Sequence, residues 1–477
     1  MFTLLILLPC LAVFLINLPY PAGVNRLATP LAAAFATLQT MLAVMQIGTN
    51  SVFKTVLESH FQLELPPDFI SQFMLVIIGI VGLVTAIVAR YSIESEHSRL
   101  HFHTLLLLSM MSMNGVVLTN DLFTLYLFIE ASSIVAFIMI AMQKDILGLE
   151  ASFKYIIIAS VATLLMLTAI ALLLMITGET SFVGVHAALA KMGDLQLPKL
   201  ALGIFIVGLC MKSGIVPFHA WVADVYSGAP TAASLLMCGA ITKTTGLYSL
   251  LRLMTSVFGF NTQLNALLLT LGVLTILIGA LAALGQRNAK RLLAYSSVSQ
   301  SGYILLGIGT GSPLGIAGAL FHAFNHATNK ALLFANAAAI EYRTKTLNMD
   351  EIGGAGHRMP ITMVTSIIGS MSVAGIPPLS GFWSKLLIIV ALWSAGFKAI
   401  ALFAALASLL TLAYMLAFQR KIFFAKTSDR FAAIEEAPTE MVSPAIALSV
   451  LIVGVGLFLP FNQGVIDVIL LHIRSLL

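Results

Sequence analysis

Five ionisable residues stand where apolar helices tolerate few. Glu130 lies in the middle of LFTLYLFIEASSIVAFIMI, and Lys212, Lys243, Lys330 and Lys385 each fall inside an apolar run. An ionised side chain at a bilayer centre costs about 2.5–3.5 kcal/mol even on forgiving insertion scales, so five exceed ~10 kcal/mol. Groups that expensive face a bundle interior, where they pair or meet water. Burial disfavours an ammonium and a nearby carboxylate restores it. Moving the carboxylate therefore switches a lysine between holding and releasing a proton. Glu130 is the carboxylate set well inside an apolar run, and Lys212, beside a Gly/Pro break, is its candidate partner. A polar contact that merely locks helices together explains one such residue more readily than five.

His322, His326 and Lys330 add a second feature. Their i, i+4, i+8 spacing puts them on one helix face. A histidine pair at i, i+4 can bind a metal, but the sequence offers no third ligand. Haem ligation would need paired histidines in other helices, and these are missing. A hydrated relay fits better, because imidazole titrates near neutral pH through two exchangeable nitrogens. Ser296, Ser297, Ser299, Gln300 and Tyr303 form a further polar cluster. It suits either water between helices or close helix packing.

The elements that position these residues follow from composition. Of 477 residues, 59% are hydrophobic and 9% charged. A soluble domain carries about a quarter charged residues. The apolar runs have the length that crosses about 30 Å of hydrocarbon as a helix. They lack strand alternation, so helices are expected rather than a barrel. The reading is an all-α integral membrane protein with about fourteen spans. The first is a retained span rather than a signal peptide, and residues 465–477 are read as an interfacial helix. A net charge of +5, dispersed along the chain, gives no reason to expect nucleic acid. Cys10, Cys210 and Cys238 lie in apolar segments without metal-ligand spacing, so no cofactor is expected on this chain.

Lys and Arg placement sets the orientation. With the N-terminus outside, the inner loops hold 15 of the 25 Lys and Arg and the outer loops 6. The remainder are the four buried lysines. Both termini are then outside. Asp224 in the stretch 224–231 is read as a helix cap in a loop, and the charges of 90–103 and 421–440 as solvated loop faces.

An internal repeat is also legible. Gly214-Ile215-Val216-Pro217 and Gly375-Ile376-Pro377-Pro378 each break a long apolar span, the seventh and the twelfth, with a buried lysine nearby. The breaks are five spans apart, so the two halves are inverted. Paired broken helices in inverted halves point to an ion site near the midplane. The segments are 1–100 (spans 1–3), 101–254 (first inverted repeat), 255–420 (second inverted repeat) and 421–477 (span 14 and tail).

The stretch Lys212…Pro217-Phe218-His219-Ala220-Trp221…Asp224…Gly228-Ala229-Pro230-Thr231…Lys243 resembles the signature of antiporter-like proton-translocating subunits. So do Asp121…Glu130, Lys290-Arg291…Ala294-Tyr295-Ser296-Ser297, Phe321-His322…His326…Lys330 and Gly375-Ile376-Pro377-Pro378-Leu379-Ser380-Gly381-Phe382…Lys385. Such subunits occur in respiratory complex I, in energy-converting membrane-bound hydrogenases and formate hydrogenlyases, and in Mrp-type Na⁺/H⁺ antiporters. The resemblance implies two inverted five-helix repeats with broken helices 7 and 12. It implies a proton axis of Glu130, Lys212, Lys243, His322, His326, Lys330 and Lys385. It also implies a bacterial or archaeal cytoplasmic membrane and a multisubunit complex of other membrane subunits with peripheral redox subunits. Any Fe–S, flavin or nickel–iron centre would sit on those partners, with quinone-reductase or hydrogenase chemistry. Na⁺ is the alternative cargo, in an Mrp-type assembly. Gln300 stands where many members carry His, which puts a titrating step there in doubt.

Overall fold

The computed structural model describes residues 2–17, 28–46, 68–192, 195–426, 431, 434–458, 470 and 473. Among these residues the chain is helical, with two isolated backbone bridges as the sole β pairing. The expected interfacial tail 465–477 falls almost wholly outside the described residues, as do Arg26, Lys54, Arg430 and Arg474 from the orientation count.

Helices α1 (Phe2–Ile16), α2 (Ala28–Gln46) and α3 (Phe69–Ser92) precede the repeats. A carboxamide clasp ties them to α4 (Glu96–Leu118). Gln39 Nε2 donates to Asn114 Oδ1 at 2.9 Å, and Asn114 Nδ2 returns a bond to Gln39 Oε1 at 3.0 Å. Their other N–H groups reach the Leu75 and Leu5 carbonyls. Buried carboxamides are stable when both ends are satisfied in this way.

The first repeat continues with α5 (Leu122–Ile140) and α6 (Ile146–Thr177). A short α7 (Phe182–Met192), unassigned by the sequence reading, leads to the half-helices α8 (Gln196–Ser213) and α9 (Ala220–Gly228). The helix 231–258 then starts as α10 (Thr231–Leu236). It passes through π turns at Met237–Ile241 and Lys243–Tyr248, α11 (Ser249–Leu253) and a last π turn. The second repeat has α12 (Thr262–Leu284), α13 (Ala289–Gly309), α14 (Pro313–Thr344) and the short α15 (Met349–Ile352). It ends with the half-helices α16 (Pro360–Ala374) and α17 (Ser380–Ser394), then α18 (Lys398–Gln419). Finally α19 (Thr439–Phe458) packs against α14, α16 and α17.

The two repeats use the same punctuation. Ser95, Asp121 and Asp145 cap α4, α5 and α6, each accepting from the N–H three residues on. Asn261, Asn288 and Ser312 do the same for α12, α13 and α14. Such caps satisfy an N–H that the first helical turn leaves unpaired. In the first repeat Asp121 bridges Ser181, just before α7. In the second Asn288 bridges Asn348, just before α15. The connections lie at opposite ends of their helix bundles, as inversion requires.

Among the described residues, nine helices are long and apolar enough to cross a membrane by themselves. The rest of the fourteen-span reading is met differently. α1 is shorter, helix 231–258 is divided by π turns, span twelve is broken, and α13 and α14 carry the buried polar residues. At Gly302 the backbones of α12 and α13 meet: an added Cβ would lie 2.7 Å from the Gly272 carbonyl oxygen. Close approach through small residues is how helices pack where lipid supplies no hydrophobic drive.

Candidate functional site

The breaks set up the site. α8 stops at Gly214 (φ 66°) and α16 at Gly375 (φ 86°), conformations that favour glycine. In each, the next residue reaches back: Ile215 N–H bonds to the Cys210 carbonyl and Ile376 N–H to that of Met371. This is a Schellman-type stop. The following Val216-Pro217 and Pro377-Pro378 peptides are both cis. The C-terminal end of a half-helix carries partial negative charge and attracts cations. Lys212 occupies the last turn of α8. Lys385 lies beyond its break, on α17, yet its Nζ reaches back to 3.4 Å from the Ala374 carbonyl at the end of α16. The two lysines thus stand on opposite sides of their breaks in sequence, Lys212 within the last turn of α8 and Lys385 returned by its side chain to the end of α16.

Five of the buried basic groups meet a serine hydroxyl, and Lys243 and His326 share one. Lys212 Nζ donates to Ser133 Oγ at 2.5 Å. Ser133 is three residues beyond Glu130 on the same face of α5. Glu130 is part-buried, acts electrostatically on Lys212, and forms no ion pair with it among the described residues. The expected carboxylate–lysine partnership is therefore proximity without an ion pair: Lys212 is held by Ser133, whose own hydroxyl donates to the Ile129 carbonyl at 2.8 Å. Lys243, in a π turn, donates to Ser301 Oγ at 2.9 Å and Ser297 Oγ at 3.3 Å on α13. Ser297 Oγ lies 3.1 Å from His326 Nε2. His322 Nδ1 lies 2.9 Å from Ser384 Oγ, beside Lys385, whose Nζ sits 4.5 Å over the Tyr303 ring. Lys330 Nζ donates to Ser296 Oγ at 2.7 Å and the Leu293 carbonyl at 3.0 Å.

The predicted His322–His326–Lys330 face is thus shared between α13 and α17. All four lysines singled out from sequence are buried. π turns interrupt helices often at functional positions, and here one carries Lys243. Several polar atoms on this row have no hydrogen-bond partner among the described residues: Glu130 Oε2, His322 Nε2, His326 Nδ1 and Gln300 Oε1. Gln300 turns its Nε2 to Tyr414 OH at 3.4 Å and stands outside the lysine–histidine contacts. Among the described residues, no three His, Cys, Asp or Glu gather as a metal site.

Three readings need correction. Asp224 is not a loop cap: α9 runs through it, and it bridges Lys154 on α6 (2.7 Å) and Arg291 on α13 (2.6 Å). It thereby joins the two repeats at the basic face, where Arg90, Arg343 and Lys421 also lie. His103 is not on a solvated loop; it is buried in α4, bonded to the carbonyls of Arg99 and Ala86. Two counted loop cations are buried as well. Lys290 donates to the Ala229 carbonyl at 2.9 Å and lies 3.9 Å from Glu341. Arg252 pairs with Asp68 and Asn120 at the opposite face. Sequence reasoning missed Ser133, Ser301 and Ser384. Serines at helical spacing from charged residues were the available signal, but serine also serves packing.

Two inverted repeats, two broken helices and a buried row of basic groups define an antiporter-like membrane subunit. The chain belongs to the NADH:quinone oxidoreductase/Mrp antiporter transmembrane family, whose model matches residues 119–411. It is 31% identical to a Na⁺/H⁺ antiporter subunit of Alkalihalophilus pseudofirmus over 409 residues, 84% of this chain and 82% of that one. It is 28% identical to an NADH-quinone oxidoreductase subunit of Desulforudis audaxviator over 93% of each. Among solved structures, it matches a chain of the Mrp complex from Dietzia sp. DQ12-45-1b with a TM-score of 0.88 and 25% identity, covering 100% of this chain and 97% of that one. A chain of the archaeal membrane-bound sulfane sulfur reductase matches with a TM-score of 0.85 and 25% identity, covering 99% and 97%.

Proposed function

We propose that this chain carries protons across a cytoplasmic membrane as one subunit of a redox-driven complex. The carrying observation is the set of buried basic groups held by serine hydroxyls: Lys212 on Ser133, Lys243 and His326 sharing Ser297, and His322 on Ser384 beside Lys385, with Glu130 near Lys212. Hydroxyls donate and accept at once, so they pass protons between groups that cannot touch. Protons enter from the basic face, taken as the inside with both termini outside. They load the Lys212–Lys243 half and leave past Lys385. Lys330, held to Ser296, sets the charge beside His326. Water completes the free valences of Glu130, His322 and His326. Partner subunits supply redox energy through their own Fe–S, flavin or nickel–iron centres, and this chain performs no redox chemistry.

The similarity to an Mrp antiporter subunit supports a second reading, a gradient-driven Na⁺/H⁺ exchanger. Mild-detergent purification of the native complex, followed by mass spectrometry of the co-purifying chains, separates the two. Redox subunits support the first reading. Small membrane subunits alone overturn it in favour of exchange, to be assayed with sodium.

A further inference from the structure

The second repeat holds a polar row that the lysine–histidine axis does not use. On α14, Asn325, Asn329 and Asn336 fall on one face, turned from that of His326 and Lys330. Asn325 Nδ2 donates to the Ser380 carbonyl at 3.1 Å, and Asn329 Nδ2 to the Asn325 carbonyl at 2.7 Å. Asn336 Oδ1 accepts from Thr365 Oγ1 at 3.1 Å. Next to Thr365, α16 presents Ser366 and Ser370 to α18, where Gln419 Nε2 donates to both at 2.8 and 2.7 Å. At the basic face the row ends at Thr362, bonded to Glu436. At the midplane it ends at Ser380, one turn before Ser384, which holds His322.

Every carboxamide here is buried and only half satisfied. Asn325 Oδ1, Asn329 Oδ1, Gln419 Oε1, Asn336 Nδ2 and the Ser380 hydroxyl have no partner among the described residues. The Gln39–Asn114 clasp shows what carboxamides look like when they hold helices together: both ends paired. A buried polar atom left without a partner is destabilising. Five within one repeat are too many for glue. They are what a file of water molecules needs, each water taking two to four polar partners.

We propose that these side chains line a second, uncharged water lane. It connects His322 and Lys385 to the basic face, so the midplane of the second repeat exchanges protons with that side independently of Glu130 and Lys212. The lane's hydration stands on the geometry alone; its role in proton supply rests on the proposed function of Lys385.

The test is thiol accessibility in the full complex in membrane vesicles of both orientations. The background carries Cys10→Ala, Cys210→Ala and Cys238→Ala. Ser366→Cys and Ser370→Cys are challenged with a charged, impermeant methanethiosulfonate. Ala425→Cys marks the basic face, and Val364→Cys is the lipid-facing control. Labelling of both serine positions in the orientation that labels Ala425→Cys, with Val364→Cys unlabelled, supports the lane. Adding Asn336→Leu should slow Ser370→Cys labelling about tenfold, because an apolar side chain removes partners that hold water. No labelling at either serine position, or labelling only from the opposite face, overturns the proposal. If the lane labels but Lys385→Ala leaves proton transport intact, the lane is real and the proton role of Lys385 fails.

Discussion

Ser297→Ala should slow proton transfer between the two repeats. Ser297 Oγ stands between Lys243 Nζ at 3.3 Å and His326 Nε2 at 3.1 Å. His326 Nδ1 already has no partner among the described residues. The alanine variant therefore leaves a buried imidazole with neither nitrogen bonded to protein. Leaving a buried group unsatisfied costs about 1–3 kcal/mol. If that cost falls on the transfer step, the rate drops about 5–150-fold, at tenfold per 1.36 kcal/mol. Ser301→Ala is the matched control. It removes a shorter bond to Lys243, 2.9 Å, but does not interrupt a bridge to His326. The assay is proton uptake into proteoliposomes of the native complex, driven by a potassium diffusion potential, so no electron donor need be known. Flux in Ser297→Ala equal to or above that in Ser301→Ala, at equal assembly, would refute the bridging role. A merely structural role predicts that larger loss for Ser301→Ala.

Lys212→Ala and Glu130→Gln should each remove the proton transport loaded through the first repeat while the complex still assembles; transport at normal stoichiometry in either assembled variant would end their assigned roles. Gly381→Ala should weaken the broken twelfth span, because its Cβ would overlap the Ser372 carbonyl oxygen. Overpacking costs about 1–3 kcal/mol, readable as a lower thermal midpoint of the purified complex. Gly246→Ala should act likewise through Ser213, whose backbone Cα lies 3.0 Å from the new methyl. Asp350 is exposed, and its hydrogen bond to Lys421, aided by Arg287, holds its carboxyl below the ordinary 3.8. That contact is fully present above the unfolded value and is lost as pH falls through the depressed one. Acid below about pH 4 should therefore loosen α15 from the turn at Lys421, and Asp350→Asn should remove that acid dependence in hydrogen exchange.

The sequence made the fold legible because two of its signals are strong. Apolar runs of crossing length leave helices as the economical choice, and Gly214–Pro217 and Gly375–Pro378 cannot continue a helix. The lysines were visible because charge inside such runs is expensive. The hydroxyls between them were not, since Ser133 or Ser384 in an apolar run reads equally as packing. Asp224 was misread because one acidic residue before Gly-Ala-Pro looks like a cap. Its partners, Lys154 and Arg291, are 70 and 67 residues away. The carboxamide row escaped for the same reason: Asn325, Asn329 and Gln419 become informative only when one end of each is seen unpaired.

The two backbone bridges, Asp121 to Ser181 and Asn288 to Asn348, are one stitch used twice. The first repeat carries it at the face of Arg252, and the second carries it at the basic face. Inversion thus supplies each face of the bundle with a backbone seam from a different half of the chain, while Asp224, held by Lys154 and Arg291, clamps the halves together at the basic face.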